Sequence, residues 1–222
     1  MEAAFWHERW QSNNIAFHQP QIHSSLRQFW PSLGIAPGAT VFVPLCGKSL
    51  DLGWLADQGH PVLGVELSTL AVEAFFREHK RVPEVRSEGG FQVWHSAGIT
   101  LLCGDFFALQ AEHLRAVAGV YDRAALVALP PALRADYIRH LRAILPVPLP
   151  TLLVTLEYDQ REMNGPPFAV LEQEVRDRYG ADYAVRLLHD HDILPESPHF
   201  RAKGVTAMRE KSYVLQPLAA PA

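Results

Sequence analysis

The stretch TVFVPLCGKSLDLGWLADQGHPVLGVELS, residues 40–68, decides the fold. Thr40–Pro44 is a short run of β-branched and aromatic residues, the composition of a buried strand. Leu45-Cys46-Gly47-Lys48-Ser49 breaks it with a glycine and a polar pair. Leu50 to Gly59 reads as a helix, with Leu52, Leu55 and Ala56 at helical spacing and Gly59 as its stop. Pro61–Val65 is a second apolar run, and Glu66 stands at its end. Strand, glycine loop, helix, strand and acid make one βαβ unit. In parallel units of this kind ligands bind at the C-terminal ends of the strands, so the 45–49 loop and Glu66 are expected to face one crevice.

Glu66 lies nineteen positions after Gly47. An acid about twenty residues past the glycine loop is placed to accept hydrogen bonds from both ribose hydroxyls of a nucleoside cofactor. The phosphate half of that fingerprint is missing, because only Gly47 remains of G-x-G-x-x-G. Gly47-Lys48-Ser49 resembles a P-loop, but Phe42 stands where that motif needs glycine, which argues against ATP or GTP. A cofactor without phosphates fits better, and S-adenosylmethionine is the obvious one. A structural βαβ turn with a solvated Glu66 is the alternative.

The 222 residues are 48% hydrophobic and 20% charged, which suits one α/β domain with a sizeable core. A formal charge of −4 gives no electrostatic reason to expect nucleic acid or an anionic membrane as partner. The amphipathic N-terminus lacks the apolar core of a signal peptide, and no apolar run is long enough for a membrane span. Cys46 and Cys103 are expected as reduced, cytoplasmic thiols. The tail 217–222, ending in PLAAPA, is expected to be disordered, leaving one domain over 1–216 and nothing that demands more than a monomer.

Glu2 to Trp10 reads as a helix carrying Phe5, Trp6 and Trp10, followed by the polar loop QSNNIAFHQP and a second helix from Ile22 to Leu33. Aromatics followed by a flexible loop look like a lid, about residues 1–35; simple packing of a helix onto the body is the alternative. Ser68 caps a helix to about Lys80, and the arginines and lysines near its end read as a solvated face. Phe91–His95 and Ile99–Cys103 flank Ser96-Ala97-Gly98 as a hairpin into the third core strand. Asp105 ends that strand beside Phe106, where it can hold an adenine amino group or merely cap the next helix. Residues 119–129 hold a fourth strand with Asp122 and Arg123 near its end. Arg123 can hold an anion in the crevice, or pair with Asp122 or Asp105. Pro131 to Leu145 is helical, Thr151–Leu156 is the fifth strand, and 157–167 is a polar flap. Phe168–Tyr179 reads as a helix, Tyr183–Leu188 as a strand and Lys211–Gln216 as the last strand. His189-Asp190-His191-Asp192 invites a metal, but adjacent residues of an extended chain point to opposite sides, so no more than two could share an ion without a turn, and no third ligand stands at motif spacing, so no metal is expected.

Together, Asn13–Pro20, Pro44-Leu45-Cys46-Gly47-Lys48, Gly64-Val65-Glu66-Leu67-Ser68 and Asp122-Arg123-Ala124-Ala125-Leu126-Val127-Ala128 closely resemble the thiopurine S-methyltransferase family in its bacterial form, over roughly residues 5–216. The resemblance implies a Rossmann-like, seven-stranded, mostly parallel sheet with helices on both faces and one antiparallel strand brought in by the last hairpin. It implies S-adenosylmethionine as cofactor and a small aromatic or heterocyclic thiol as acceptor, with selenium and tellurium compounds as further acceptors in detoxification. Carried over by motif, Trp10 lies over the cofactor, Leu45 beside its methionine moiety and Glu66 on its ribose. Asp105 and Phe106 fall on the adenine side. Arg123 stands at the cofactor close to the acceptor, as the catalytic candidate, and Phe17 and Arg201 are on the acceptor side. A nicotinamide-dependent oxidoreductase and a non-catalytic nucleoside-binding module are the competing readings; the single glycine of the loop disfavours the first.

Overall fold

In the computed structural model, which describes residues 3–219, nine strands form one sheet. They are β1 (Thr40–Val43), β2 (Val62–Glu66), β3 (Glu84–Glu88), β4 (Phe91–Ser96), β5 (Ile99–Cys103), β6 (Val117–Arg123), β7 (Thr151–Tyr158), β8 (Tyr183–Asp192) and β9 (Met208–Pro217). Their order is β3-β4-β5-β2-β1-β6-β7-β9-β8. The centre, from β5 to β7, is parallel. β9 inserts between β7 and β8 and runs against both. Val41, Phe42 and Val43 are all buried, as a central parallel strand covered on both faces requires.

The sheet is two strands wider than the expected seven. β3 and β4 extend it beyond β5 as an antiparallel pair. β4 is the first arm of the expected hairpin, whereas β3, sequence EVRSE, is exposed along its whole length. It has no apolar alternation to read, and its charges suit an edge that must not recruit another chain. Two other boundaries differ. β8 runs on through His189-Asp190-His191-Asp192, pairing those residues with Arg209–Ser212 after a register shift. Its signal there is charge, not hydrophobicity: Asp190 pairs with Arg209 across the strands. The helix expected from Phe168 begins only at Glu172, because the amides of Phe168 and Val170 are drawn to the carbonyls of Val127 and Leu156.

Seven helices cover the sheet: α1 (Ala3–Gln11), α2 (Ser24–Phe29), α3 (Leu50–Asp57), α4 (Thr69–Glu78), α5 (Pro131–Ile144), α6 (Glu172–Tyr179) and α7 (Pro198–Arg201), counted among the described residues. Ser49 and Ser68 cap α3 and α4, each accepting a backbone N–H with its side chain. On one face α2, α3 and α4 bring Leu26, Leu52, Leu55, Phe75 and Phe76 onto Val41, Val43, Leu152 and Val154. On the other, Tyr137, Ile138 and Leu141 of α5 and Val175 of α6 cover Phe42, Val65, Val120 and Leu153. Leu26, Trp30 and Leu33 are buried in the first of these layers, so the second half of the 1–35 segment is core in its own right. Pro217 closes β9, and residues 220–222 of the expected tail, like Glu2, lie outside the described residues. No described helix is long and apolar enough to cross a membrane.

The turn between β1 and α3 is seated on bare backbone. A Cβ on Gly64 of β2 would come within 2.7 Å of both Cys46 Sγ and Leu101 Cδ2. Gly64→Ala should therefore destabilise the protein by about 1–3 kcal/mol, the usual range for an overfilled core. Urea denaturation is the measurement; a loss below about 0.5 kcal/mol, the size of an ordinary surface change, would refute the close fit.

Candidate cofactor and acceptor site

At the top of β2 the Glu66 side chain is buried, and both its oxygens take backbone amides. Oε2 accepts from Gly47 N–H at 2.9 Å and Oε1 from Ser68 N–H at 2.8 Å. Burial raises its pKa above the usual carboxylate value, with the amides of Ser68, Gly47 and Leu67 working the other way. A carboxylate has about four lone-pair directions, so further donors can still be accepted. The loop it holds turns sharply: Leu45 and Gly47 both have positive φ, 47° and 55°. For a leucine that backbone costs about 1–3 kcal/mol, and such strain is characteristic of ligand sites.

The loop offers nothing to a phosphate. Gly47 N–H is committed to Glu66, and Lys48 is bonded to Glu78 of α4 at 2.7 Å. Trp10 of α1 lies on Gly47 instead, its Cζ2 3.5 Å from where a Cβ would stand. Phe17 meets the rings of Trp6 and Trp10 edge-on, with centroids 5.6 and 5.5 Å apart. Trp10, Phe17, Leu45 and Glu66 are thus brought together as one corner. The segment 104–106 joins it through Gly104 N–H, which donates to Glu66 O at 2.9 Å. Asp105 is exposed and caps the following 3-10 turn by accepting Phe107 N–H. Phe106 turns its ring into the core, 4.9 Å from Tyr137, so its own face toward the crevice is backbone.

Asp122 and Arg123 are neighbours in β6 and point to opposite faces. Asp122 is buried under α5, accepting Tyr137 O–H at 2.7 Å and Leu126 N–H at 3.4 Å. Burial raises its pKa to about 6 despite those two donors. Arg123 is half-buried on the α2–α3 face and, among the described residues, forms no salt bridge with Asp122, Asp105 or any other carboxylate. Ala124 after it has φ 67°, a second strained turn at the crevice. Arg201 ends α7, whose Phe200 packs with Tyr158 and Met208 over the tops of β7 and β9, apart from the Trp10–Glu66 corner.

The sequence reading passed over five residues here. His18, next to Phe17, is held below the usual imidazole range by burial and then by the charge of Lys48, with Arg123 adding to it. Asp51 at the start of α3 accepts Tyr121 O–H and the backbone N–H of His23. His23 in turn bonds Glu210 of β9 at 3.2 Å. Only the position of His18 beside Phe17 was visible as a signal. The others meet across as many as 187 positions of sequence.

A family model described as thiopurine S-methyltransferase (TPMT) matches residues 1–217. Proteins named thiopurine S-methyltransferase resemble the chain along nearly their full length. That of Pseudomonas putida is 52% identical over 213 residues, 96% of this chain and 98% of the relative. That of Azotobacter vinelandii is 50% identical over 216 residues, 97% and 99%. Among solved structures, a SAM-dependent methyltransferase from Anabaena variabilis superposes with a TM-score of 0.68 at 13% identity, covering 97% of this chain and 95% of that one. A Burkholderia thailandensis 1,6-didemethyltoxoflavin-N1-methyltransferase, solved with S-adenosylhomocysteine, gives 0.63 at 14% identity over 96% and 87%.

The raised pKa of Asp122 has a definite consequence for stability. The folded state binds its proton more tightly than the unfolded chain, where the value lies near 3.8. Its contribution is complete below that value and is lost as pH rises through about 6. At roughly 1.4 kcal/mol per pK unit, the loss is about 3 kcal/mol. Asp122→Asn cannot titrate, so urea denaturation should show it gaining on the wild type between these two pH values and holding a constant difference above them. A difference independent of pH would refute a raised Asp122 pKa in the folded state.

Proposed function

The chain belongs to the thiopurine S-methyltransferase family, and we propose that it moves the methyl group of S-adenosylmethionine onto the sulfur of aromatic and heterocyclic thiols, thiopurines among them. The observation that carries this reading is the corner built from Glu66, the 45–47 loop, Trp10 and Phe17, next to Arg123, which has no carboxylate partner among the described residues. Its donor set suits a nucleoside without phosphates: a carboxylate with acceptor capacity to spare, and a glycine loop whose amide and lysine are already engaged.

The cofactor supplies an electrophilic methyl on a sulfonium. Glu66 would accept the ribose hydroxyls, Leu45 and Trp10 would enclose the methionine end, and Asp105 with the Phe106 backbone would border the adenine. Phe17, with Trp6 beside it, offers a flat aromatic edge to a ring-shaped acceptor. Direct transfer needs in-line approach and exclusion of water more than a strong base. A thiol attacks far better as its anion. A guanidinium is a cation and a poor proton acceptor, so Arg123 would favour the thiolate electrostatically rather than take its proton. Arg201 would add a second cation from the acceptor side. Selenium and tellurium nucleophiles belong to the same proposal as soft anions that can use the same cationic, aromatic site. Residues 11–21, with Phe17 as their inward aromatic against Trp6 and Trp10, would close over the acceptor as a cover.

Glu66→Gln keeps the shape but loses the charge. It should weaken S-adenosylhomocysteine binding by roughly 1.5–3 kcal/mol, the range for a hydrogen bond to a charged group. Wild-type affinity should also fall with acid at a higher pH than for an ordinary carboxylate, since burial raises the pKa of Glu66, and the variant should lack that fall. Calorimetric titration across pH decides; equal affinities in a folded variant would remove Glu66 from the site.

For Arg123→Ala, single-turnover methylation of a thiopurine at saturating cofactor should be slowed most below the acceptor's own pKa, and less above it, where the thiol ionises unaided. Arg123→Lys should recover part of the charge effect but not a bidentate geometry. A defect of one size at every pH would reduce Arg123 to holding the ligands in place.

A further inference from the structure

Arg123 has a potential competitor for its charge. In the sheet Arg123 pairs with Val154, and Val154 with Ser212, so the three share a rung and a face. Glu210 lies two residues further along β9, opposite Leu156, on that same face and nearer the crevice. Two strand spacings, about 10 Å, separate the backbones, and both side chains are long. The Glu210 carboxylate is 19% exposed and bonds the His23 ring through Nε2 at 3.2 Å. His23, with a side chain only 8% exposed, is fixed independently by its own N–H to Asp51 Oδ1, while Ser25 just beyond it bonds Ser212. Its other ring nitrogen, Nδ1, is buried with no hydrogen-bond partner among the described residues. That pattern suits an imidazole placed for a single task, donation from Nε2 to Glu210.

We propose that His23 is a positioning residue for the acceptor site: by holding Glu210 it keeps that carboxylate from pairing with Arg123 and so leaves the guanidinium free for an anionic acceptor. The proposal rests on the reading of Arg123 given above. Burial works against the charged form of Glu210, yet the bond and charge of His23, followed by the charges of Arg123 and His189, bring its pKa below the usual range. Glu210 is therefore an anion at neutral pH and within the field of Arg123. The other groups facing this cluster are Asp51 from α3, Tyr121 from β6, His189 and, directly opposite Glu210, His191 from β8, and His18 from the N-terminal loop. None of these five bonds Glu210 among the described residues, and His191 is engaged with Glu196 at 3.8 Å, so without His23 the carboxylate turns to Arg123.

The test is a suppressor experiment on the full chain with a thiopurine acceptor. His23→Leu removes the donor, and acceptor kcat/KM should fall about tenfold, a change of the size that follows loss of one charge-assisted contact. Adding Glu210→Gln removes the competing anion, and the double variant should return to within about threefold of the wild type. A merely structural role for His23 gives the opposite order, with the double variant as impaired as the single or worse; that result overturns the proposal. If His23→Leu does not fold, as judged by circular dichroism, Glu210→Gln alone decides. Losing an anion that faces Arg123 should move the acid limb of the single-turnover profile to lower pH, and an unmoved limb overturns the proposal. Arg123→Ala is run beside these variants. If it transfers methyl like the wild type, the underlying reading of Arg123 has failed; if it is impaired while the suppressor does not suppress, only the present inference has.

Discussion

One buried carboxylate holds the ligand end of this fold together. Glu66 bonds Gly47 in the loop before α3 and Ser68 at the start of α4, so its side chain ties together the two turns that follow the paired strands β1 and β2. Taking a charge out of water costs several kcal/mol. Two charge-assisted hydrogen bonds offset much of this, at roughly 1.5–3 kcal/mol each. The N-terminus of α4 adds a favourable dipole. The strained φ of Leu45 is sustained by the same bonds, together with Cys46 N–H to Val65 O and the seat of Cys46 on Gly64. Trp10 rests on Gly47 and Phe17 on Trp10, so the aromatic wall is also built outward from this carboxylate.

The parity of β6 divides labour between two adjacent charges. Asp122 faces α5, where Tyr137 and the Leu126 amide satisfy it and burial favours the proton. Arg123 faces the α2–α3 layer and keeps its guanidinium outside any salt bridge among the described residues. A one-residue slip in register would exchange the two, placing an arginine under α5 and a carboxylate in the crevice. The alternation of a strand is thus enough to decide which charge lies under α5 and which faces the α2–α3 layer.

The parallel centre of the sheet was legible because its strands are short apolar runs ended by Pro44, Glu66, Gly104 and Arg123. The outer parts were less so, for a physical reason. β3 is wholly exposed and the far half of β8 is held by cross-strand charge, and neither leaves a hydrophobic period in the sequence. The site followed the same division. Leu45, Gly47 and Glu66 sit within one βαβ unit, and their spacing is itself the signal. His23, Asp51, Tyr121 and Glu210 come from a loop, a helix and two strands, and only the folded sheet brings them together. Phe106 shows the converse: a position expected beside the cofactor, whose ring the core has claimed.

The N-terminal segment takes its character from how it is tied down. Trp10 is buried against Gly47 at one end, and His23 is bonded to Asp51 and Glu210 at the other. Between them most of residues 11–21 are exposed, and Phe17 is the main apolar contact inward. Few buried contacts mean a low cost of local opening, which a site that admits an acceptor and then excludes water requires. Two fixed ends with one aromatic between them would let the loop lift, as the proposed cover requires, while Trp10 stays on Gly47. Opening for the acceptor is thereby separated from the contacts that would hold the cofactor, since Glu66 keeps its bonds to Gly47 and Ser68 whether or not Phe17 is in place.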